Sequence, residues 1–135
     1  MIKGKIVCRC GCNSGALTKG IISLLDNFKE LLPRHYDLII TSGYRCLKHN
    51  SSLPLASPKS QHLVGNAIDC YCPDLDVLGF FAVCRHLDGF EKLGLGVYET
   101  EKGYYLHIDK RGYKARWHYS GGQKVPIDES WLFTL

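Results

Sequence analysis

The segment from Ser60 to Cys72, SQHLVGNAIDCYC, sets His62 and Asp69 seven positions apart around Gly65 and follows them with Cys70 and Cys72. A second histidine, His107, stands in the later run YYLHIDKR, with Asp109 two positions beyond it. Two imidazoles and one carboxylate are donor types of a catalytic zinc centre, which takes three protein ligands and keeps a fourth position for water. Such chemistry needs neutral imidazoles and an ionised carboxylate converging from rigid elements, so that the pKa of the water falls towards neutrality. Each residue also has an ordinary explanation. His62 fits a surface loop, Asp69 a pair with a lysine, and His107 a hydrogen-bonded histidine of the core. Spacing alone leaves both readings standing.

The elements that must position these residues are marked by periodicity. Leu17, Ile21, Leu24, Phe28 and Leu31 recur at steps of four, three, four and three, one apolar face of a helix that Pro33 ends. The run YDLIITSGYR is apolar and β-branched until Ser42 and Gly43, which predicts a buried strand delivering Tyr44 and Arg45 at its end. CLKHN then reads as a short helix or turn, and LPLASPKSQ as an exposed loop of about ten residues, a length that often borders a cleft. NAIDCYC alternates, with Ala67, Asp69 and Tyr71 on one face and Ile68, Cys70 and Cys72 on the other, as a half-buried strand does. Asp69 is thus mid-strand, an expensive place for a lone charge. Pro73 and Asp74 predict the start of a second main helix, capped by Asp74, running to about His86 with Leu75, Leu78 and Val83 in its core contacts, and closed by Gly89. LGLGVYET and YYLHIDKR, joined by EKG, predict an antiparallel hairpin with His107 and Asp109 on one face. The tail, with Trp117, Trp131 and VPIDESWLF, is expected to pack across the sheet. The sum is one small α+β domain over residues 1–135, with a central, mainly antiparallel sheet, two main helices and a zinc-binding cleft.

In order along the chain, SGYRCLKHN, SQHLVGNAID, GLGVYETEKGYYLHIDKRG and RW resemble the zinc D-alanyl-D-alanine carboxypeptidase family. That family includes phage and bacterial cell-wall endopeptidases and has the hedgehog signalling domain as a structural relative. The resemblance runs from about residue 7 to about residue 117 and is densest in S-x-H-x-x-G-x-A-x-D, met by Ser60, His62, Gly65, Ala67 and Asp69, with H-x-D following at His107 and Asp109. It implies that His62, Asp69 and His107 hold one catalytic Zn²⁺. It also implies that Arg45 holds a substrate carboxylate or polarises the scissile carbonyl, a task suited to a forked and permanently charged donor, with Tyr44 and Ser60 beside it on the substrate. The best-known members carry a glutamate three residues before the last histidine, where this chain has Tyr104. Asp109 is then the first candidate for the general base, with orientation of His107 or metal ligation as its alternatives. Glu99 and Glu101, near the hairpin turn, rank behind it, and His118 is a weaker candidate for lining the cleft. The implied reaction is metal-assisted hydrolysis of peptidoglycan stem peptides, by carboxypeptidase or endolysin-like endopeptidase cleavage, in which a carboxylate takes and returns the proton. The rival is a non-catalytic, zinc-stabilised domain that binds peptidoglycan or protein, a reading favoured by the missing glutamate.

Composition bounds the remaining classes. At 135 residues and 45% hydrophobic content the chain can bury one sizeable core. Its net charge of +4 is scattered over KGK, PRH, LKH and DKRGYKARWH, with neither a basic stripe nor a recognition helix, so no nucleic-acid partner is expected. The longest apolar runs, DLII and VLGFFAVC, are too short to span a bilayer, and MIKGKIVCRCGC lacks the apolar centre of a signal peptide. A monomer without a membrane partner is expected, made in the cytoplasm without Sec export, and either released by a phage holin or acting on recycled wall peptides. Seven cysteines in such a setting read as metal ligands or reduced thiols. Cys8, Cys10 and Cys12, at two-residue steps, could join Cys46, Cys70 or Cys72 in a structural zinc site, but the usual C-x-x-C spacing is missing. Buried thiols packing the N-terminal segment near Cys46 are the preferred reading, and alternation turns Cys70 and Cys72 away from the Asp69 face.

Overall fold

Alternating segments become the strands of one sheet, and the apolar faces of the helices close over one side of it. The computed structural model of the chain describes residues 1–126 other than 5, 9–11, 13, 14, 54, 55 and 58, so Cys10 and the tail around Trp131 lie outside the described residues. Strand β1 (Ile2–Gly4) leads through the N-terminal segment to helix α1 (Lys19–Leu31), strand β2 (Leu38–Ser42) and the short helix α2 (Leu47–Ser52). A 3₁₀ turn at Gln61–Val64 precedes β3 (Ala67–Tyr71), and α3 (Val77–Cys84) and a second 3₁₀ turn at Phe90–Lys92 follow it. The chain then forms β4 (Gly94–Thr100), β5 (Gly103–Asp109), β6 (Ala115–Ser120) and β7 (Gln123–Val125).

The strands are ordered β1-β2-β3-β5-β4-β6-β7. The expectation of a mainly antiparallel sheet is corrected to a mixed one, because β1 runs parallel to β2 and β6 runs parallel to β4. The second parallel pair has a topological cause. β3 occupies the outer edge of β5, so the chain leaving Asp109 crosses to the open edge of β4 within residues 110–114. It enters at Ala115 beside Gly94, where β4 itself begins, and must run in the same direction. Trp117 therefore belongs to the sheet itself, packed over Gly96, rather than to a tail lying across it.

Helix α1 follows its apolar period. Ile21, Leu24 and Phe28 are buried, and Thr18 caps the helix by accepting a hydrogen bond from the Ile21 N–H at 3.2 Å. Leu17 precedes the cap and packs partly buried against the same core. Helix α3 begins later than Pro73-Asp74 suggests. Residues 73–75 form a turn held by the Tyr104 hydroxyl, whose one proton is shared between the carbonyls of Cys72 and Leu75, each 2.9 Å away, and Asp76 is the residue that caps Gly79 N–H at 2.8 Å. Both helices pack on the sheet face carrying Ile68, Cys70, Leu95, Val97, Leu106 and Ile108, with Phe28 and Phe80 stacked at 5.7 Å. Full burial of each such side chain contributes about 1.5–3 kcal/mol. The opposite face is left for polar residues. Among the described residues no helix is long and apolar enough to cross a membrane.

Candidate metal centre

Register brings two of the three donors together. Asp69 on β3 pairs with His107 on β5, and residues directly opposite in an antiparallel pair project from the same face. His62 arrives from the 3₁₀ turn, which Gly65 ends in a left-handed conformation (φ 70°) where a Cβ would stand 2.0 Å from the Ala16 carbonyl oxygen. This is the physical meaning of the glycine between the histidine and the aspartate. Asp69 Oδ1 lies 3.0 Å from His62 Nε2 and 3.1 Å from His107 Nδ1, and the two ring nitrogens are 3.2 Å apart.

The outer ring nitrogens decide what the inner ones offer. His62 Nδ1 is 2.6 Å from the Gly43 carbonyl oxygen, which can only accept, and His107 Nε2 is 2.6 Å from the Asp109 carboxylate. With those protons placed outward, His62 Nε2, His107 Nδ1 and Asp69 Oδ1 are three lone-pair donors aimed at one point. Three acceptors this close repel unless a cation lies among them. A tetrahedral zinc ion with bonds of about 2.0–2.1 Å sets its ligand atoms about 3.3 Å apart, close to the spacing found. All three residues are at least nine-tenths buried, so an uncompensated charge there would be costly. Burial acts to raise the pKa of Asp69, but the adjoining imidazoles outweigh it and hold the carboxyl below the usual carboxylate range. Burial acts to lower that of His107, and its bonds to Asp109 and Asp69 outweigh this and raise it.

Two arginines fix the surroundings. An irregularity in β2 between Ile40 and Ser42 sets Ser42 opposite Asp69, and Ser42 Oγ accepts from Arg45 Nε at 3.1 Å. Arg45 Nη2 donates to Asp69 Oδ2 at 2.9 Å and Nη1 to Asn50 Oδ1 at 3.3 Å, so Arg45 grips the outer oxygen of the donor carboxylate. Asp109 shares the face of His107 as alternation requires, yet its carboxylate stands behind the ring. It is fully buried and accepts from His107, from the Arg111 backbone N–H, and from Arg111 Nε and Nη2 at 2.8 and 2.7 Å. Gly94 makes room for this pair, since a Cβ there would lie 2.4 Å from Asp109 Oδ1.

The other sequence candidates separate. Ser60 lines the cleft, and its hydroxyl accepts from the His62 N–H at 3.2 Å. Tyr44 lies apart, because its backbone bonds to Ile6 and its ring packs against Gly15 of the N-terminal segment. Glu99 is bonded to His118 at 2.7 Å, and both project from the opposite face of the sheet, so His118 does not join the cleft. Glu101 sits in the exposed hairpin turn. Tyr104 faces the core. The cleft beside the donors has a volume of about 870 Å³ and is floored by Tyr98, Tyr105, Trp117 and Tyr119. These aromatics do not figure among the sequence candidates, although Tyr105 stands two positions before His107 and so shares its face.

A family model described as peptidase M15 matches residues 2–109, which span all three donors and end on Asp109. The chain belongs to the peptidase M15 family. M15 enzymes are zinc peptidases, and the donor set fits that metal. No curated protein and no solved structure matches the chain. Strand β6, which carries Trp117 and Tyr119 into the cleft, and strand β7 after it lie beyond the part matched to the M15 model.

Proposed function

We propose that the chain is a monomeric zinc peptidase that hydrolyses peptidoglycan stem peptides, with His62, Asp69 and His107 as the metal ligands. The observation that carries this is the convergence of His62 Nε2, Asp69 Oδ1 and His107 Nδ1 at 3.0–3.2 Å on the wall of an open cleft. A zinc ion at such a site supplies Lewis-acid polarisation of a peptide carbonyl and activation of a water for attack. The chain's own residues do the rest. Asp109 holds the tautomer of His107, and Arg111 balances the charge of the Asp109 carboxylate. Arg45 aims Asp69 Oδ1 inward. Among the described residues Ser42, Asn50 and Asp69 use three of its five N–H groups, and the side chain lines the cleft, so the other two suit a substrate carboxylate or a developing oxyanion. Lys59 and Lys124 on the rim add attraction for an acidic peptide, and the tyrosine row offers a flat surface to its backbone.

A second reading, a zinc-stabilised binding domain, is favoured by one observation. Among the described residues lining the cleft, Asp69 is the sole carboxylate, and it is already a donor to the metal point. Digestion of purified muropeptides by the zinc-loaded full chain, followed by mass spectrometry, separates the two. The enzyme reading requires loss of a terminal D-alanine or a cut within the stem, and loss of both zinc and cleavage in His62→Ala. Intact muropeptides beside a fully zinc-loaded chain would overturn the enzyme reading.

A further inference from the structure

A second group of metal-binding side chains lies away from this centre. Cys8, Cys12 and Cys46 bring their sulfurs within 4.8 Å of one another, with 3.6 Å between Cys8 and Cys46. A tetrahedral zinc ion with Zn–S bonds of about 2.3 Å sets its sulfurs about 3.8 Å apart. Packing alone does not account for the group, because Cys12 is exposed while Cys8 is fully buried. The core thiols Cys70, Cys72 and Cys84 are different in kind. They lie among Ile, Leu and Phe side chains, and burial pushes their pKa values up, away from the thiolate.

The first group instead has backbone N–H groups aimed at its sulfurs. The Cys46 N–H points at Cys8 Sγ at 3.3 Å and the His49 N–H at Cys46 Sγ at 3.4 Å, the backbone donors that stabilise metal-bound sulfur. The objection from spacing also falls. The two neighbouring ligands are Cys8 and Cys12, a C-x₃-C pair within the usual range for zinc, and the third comes from a distant turn.

We propose that Cys8, Cys12 and Cys46 form a structural zinc site that pins the N-terminal segment to the corner carrying Arg45. Each thiol gives its proton to solvent as the metal binds, and the fourth corner is left to water or a further donor. The corner is the one the cleft depends on. Gly43 accepts from His62 Nδ1, the Arg45 N–H donates to the His62 carbonyl at 3.0 Å, and the Tyr44 N–H donates to Ile6 at 2.9 Å. A brace at Cys46 therefore holds both His62 and Arg45 in place.

The test is made on the full chain prepared under reducing conditions. Its zinc is counted by elemental analysis, and the metal-free chain is reloaded with Co²⁺, whose sulfur-to-metal charge-transfer absorption reports thiolate ligands. The expected content is about two zinc ions per chain, with a strong charge-transfer band after reloading. Cys12→Ser, at an exposed position, removes about one ion and the band, whereas His62→Ala removes the other ion and keeps the band. Failure of the peptidase centre alone thus leaves the thiolate signal intact. A reloaded wild-type chain without the band, retention of both ions by Cys12→Ser, or a Cys8–Cys46 disulfide in place of thiolate-bound metal would each overturn the proposal.

Discussion

Asp109 accepts hydrogen bonds from one imidazole and one guanidinium and has no exposed surface. Burial alone would raise its pKa, but Arg111 and His107 together hold the carboxyl well below the usual range, so it is ionised at neutral pH. It acts on its neighbour. The pKa of His107 is raised despite burial, chiefly through the Asp109 bond, and in the metal-free chain a proton therefore competes for that ring from a higher pH than for an ordinary imidazole. Asp109→Asn should weaken zinc binding about 10–100-fold, measured by competition with a chromophoric chelator above neutral pH. Because the substitution removes a contact that raises the pKa of His107, the midpoint at which zinc affinity begins to fall with acidity should move downward in the same titration. An unchanged midpoint would show that Asp109 does not act through the imidazole. At this scale donor type and strand alternation single out Asp69 and His107, while His62, which lies on no strand, is marked as a ligand by the family resemblance. Arg111 is not, because an ion pair formed across a β-bend leaves no periodic trace.

Among the elements, the hairpin and β3 are readable because a period of two with β-branched and aromatic residues has few other meanings. The parallel partners are not, since periodicity says which face a residue takes and nothing about which edge is open. β1 and β7, with three residues each, are too short to carry a period at all. The start of α3 is misread for a local reason: Asp74 and Asp76 are both competent caps, and the Tyr104 hydroxyl selects the second by holding the turn before it. What the strand pairing adds is a row of rings. Tyr98 on β4 stacks on Tyr105 of β5 at 4.7 Å and on Tyr119 of β6 at 5.2 Å, each pair within 4° of parallel, and its hydroxyl accepts from Trp117 Nε1 at 2.8 Å. Removal of the middle ring breaks the row without touching the metal donors. Tyr98→Ala should raise KM for muropeptides about tenfold, equivalent to about 1.4 kcal/mol, with zinc content unchanged. Tyr98→Phe keeps the stack and should stay within about twofold of the wild type. Equal losses in the two variants would place the effect in the hydroxyl rather than in the aromatic surface.

For the whole molecule, the two faces of the sheet divide the labour. One carries the cleft, and the other forms a single apolar cluster in which Phe28 of α1, Phe80 and Cys84 of α3, Cys70 of β3 and Leu106 of β5 all take part. No one element can leave that cluster without exposing the others, so the core cysteines should report global rather than local opening. Burial has already pushed the Cys84 thiol far above the ordinary cysteine value, which leaves it unreactive in the folded chain. Where reclosing is fast, alkylation of Cys84 proceeds at its unfolded rate multiplied by the unfolding constant. A stability of about 5 kcal/mol or more then slows labelling by at least about a thousandfold, whereas the exposed Cys12 of the metal-free chain should react far faster than Cys84. Zinc joins the argument through linkage. Binding to the folded chain alone adds about 2.7 kcal/mol at a hundredfold excess over Kd, and should slow Cys84 by about a further hundredfold. The part of that slowing due to the cleft should vanish in His62→Ala, while any part due to the Cys8 group persists there and vanishes in Cys12→Ser. Site-by-site mass spectrometry of alkylated peptides measures all of these rates in one experiment. Labelling of Cys84 that outpaces global unfolding and ignores zinc would show that α3 opens on its own, and that the core does not couple the helices to the face bearing the cleft.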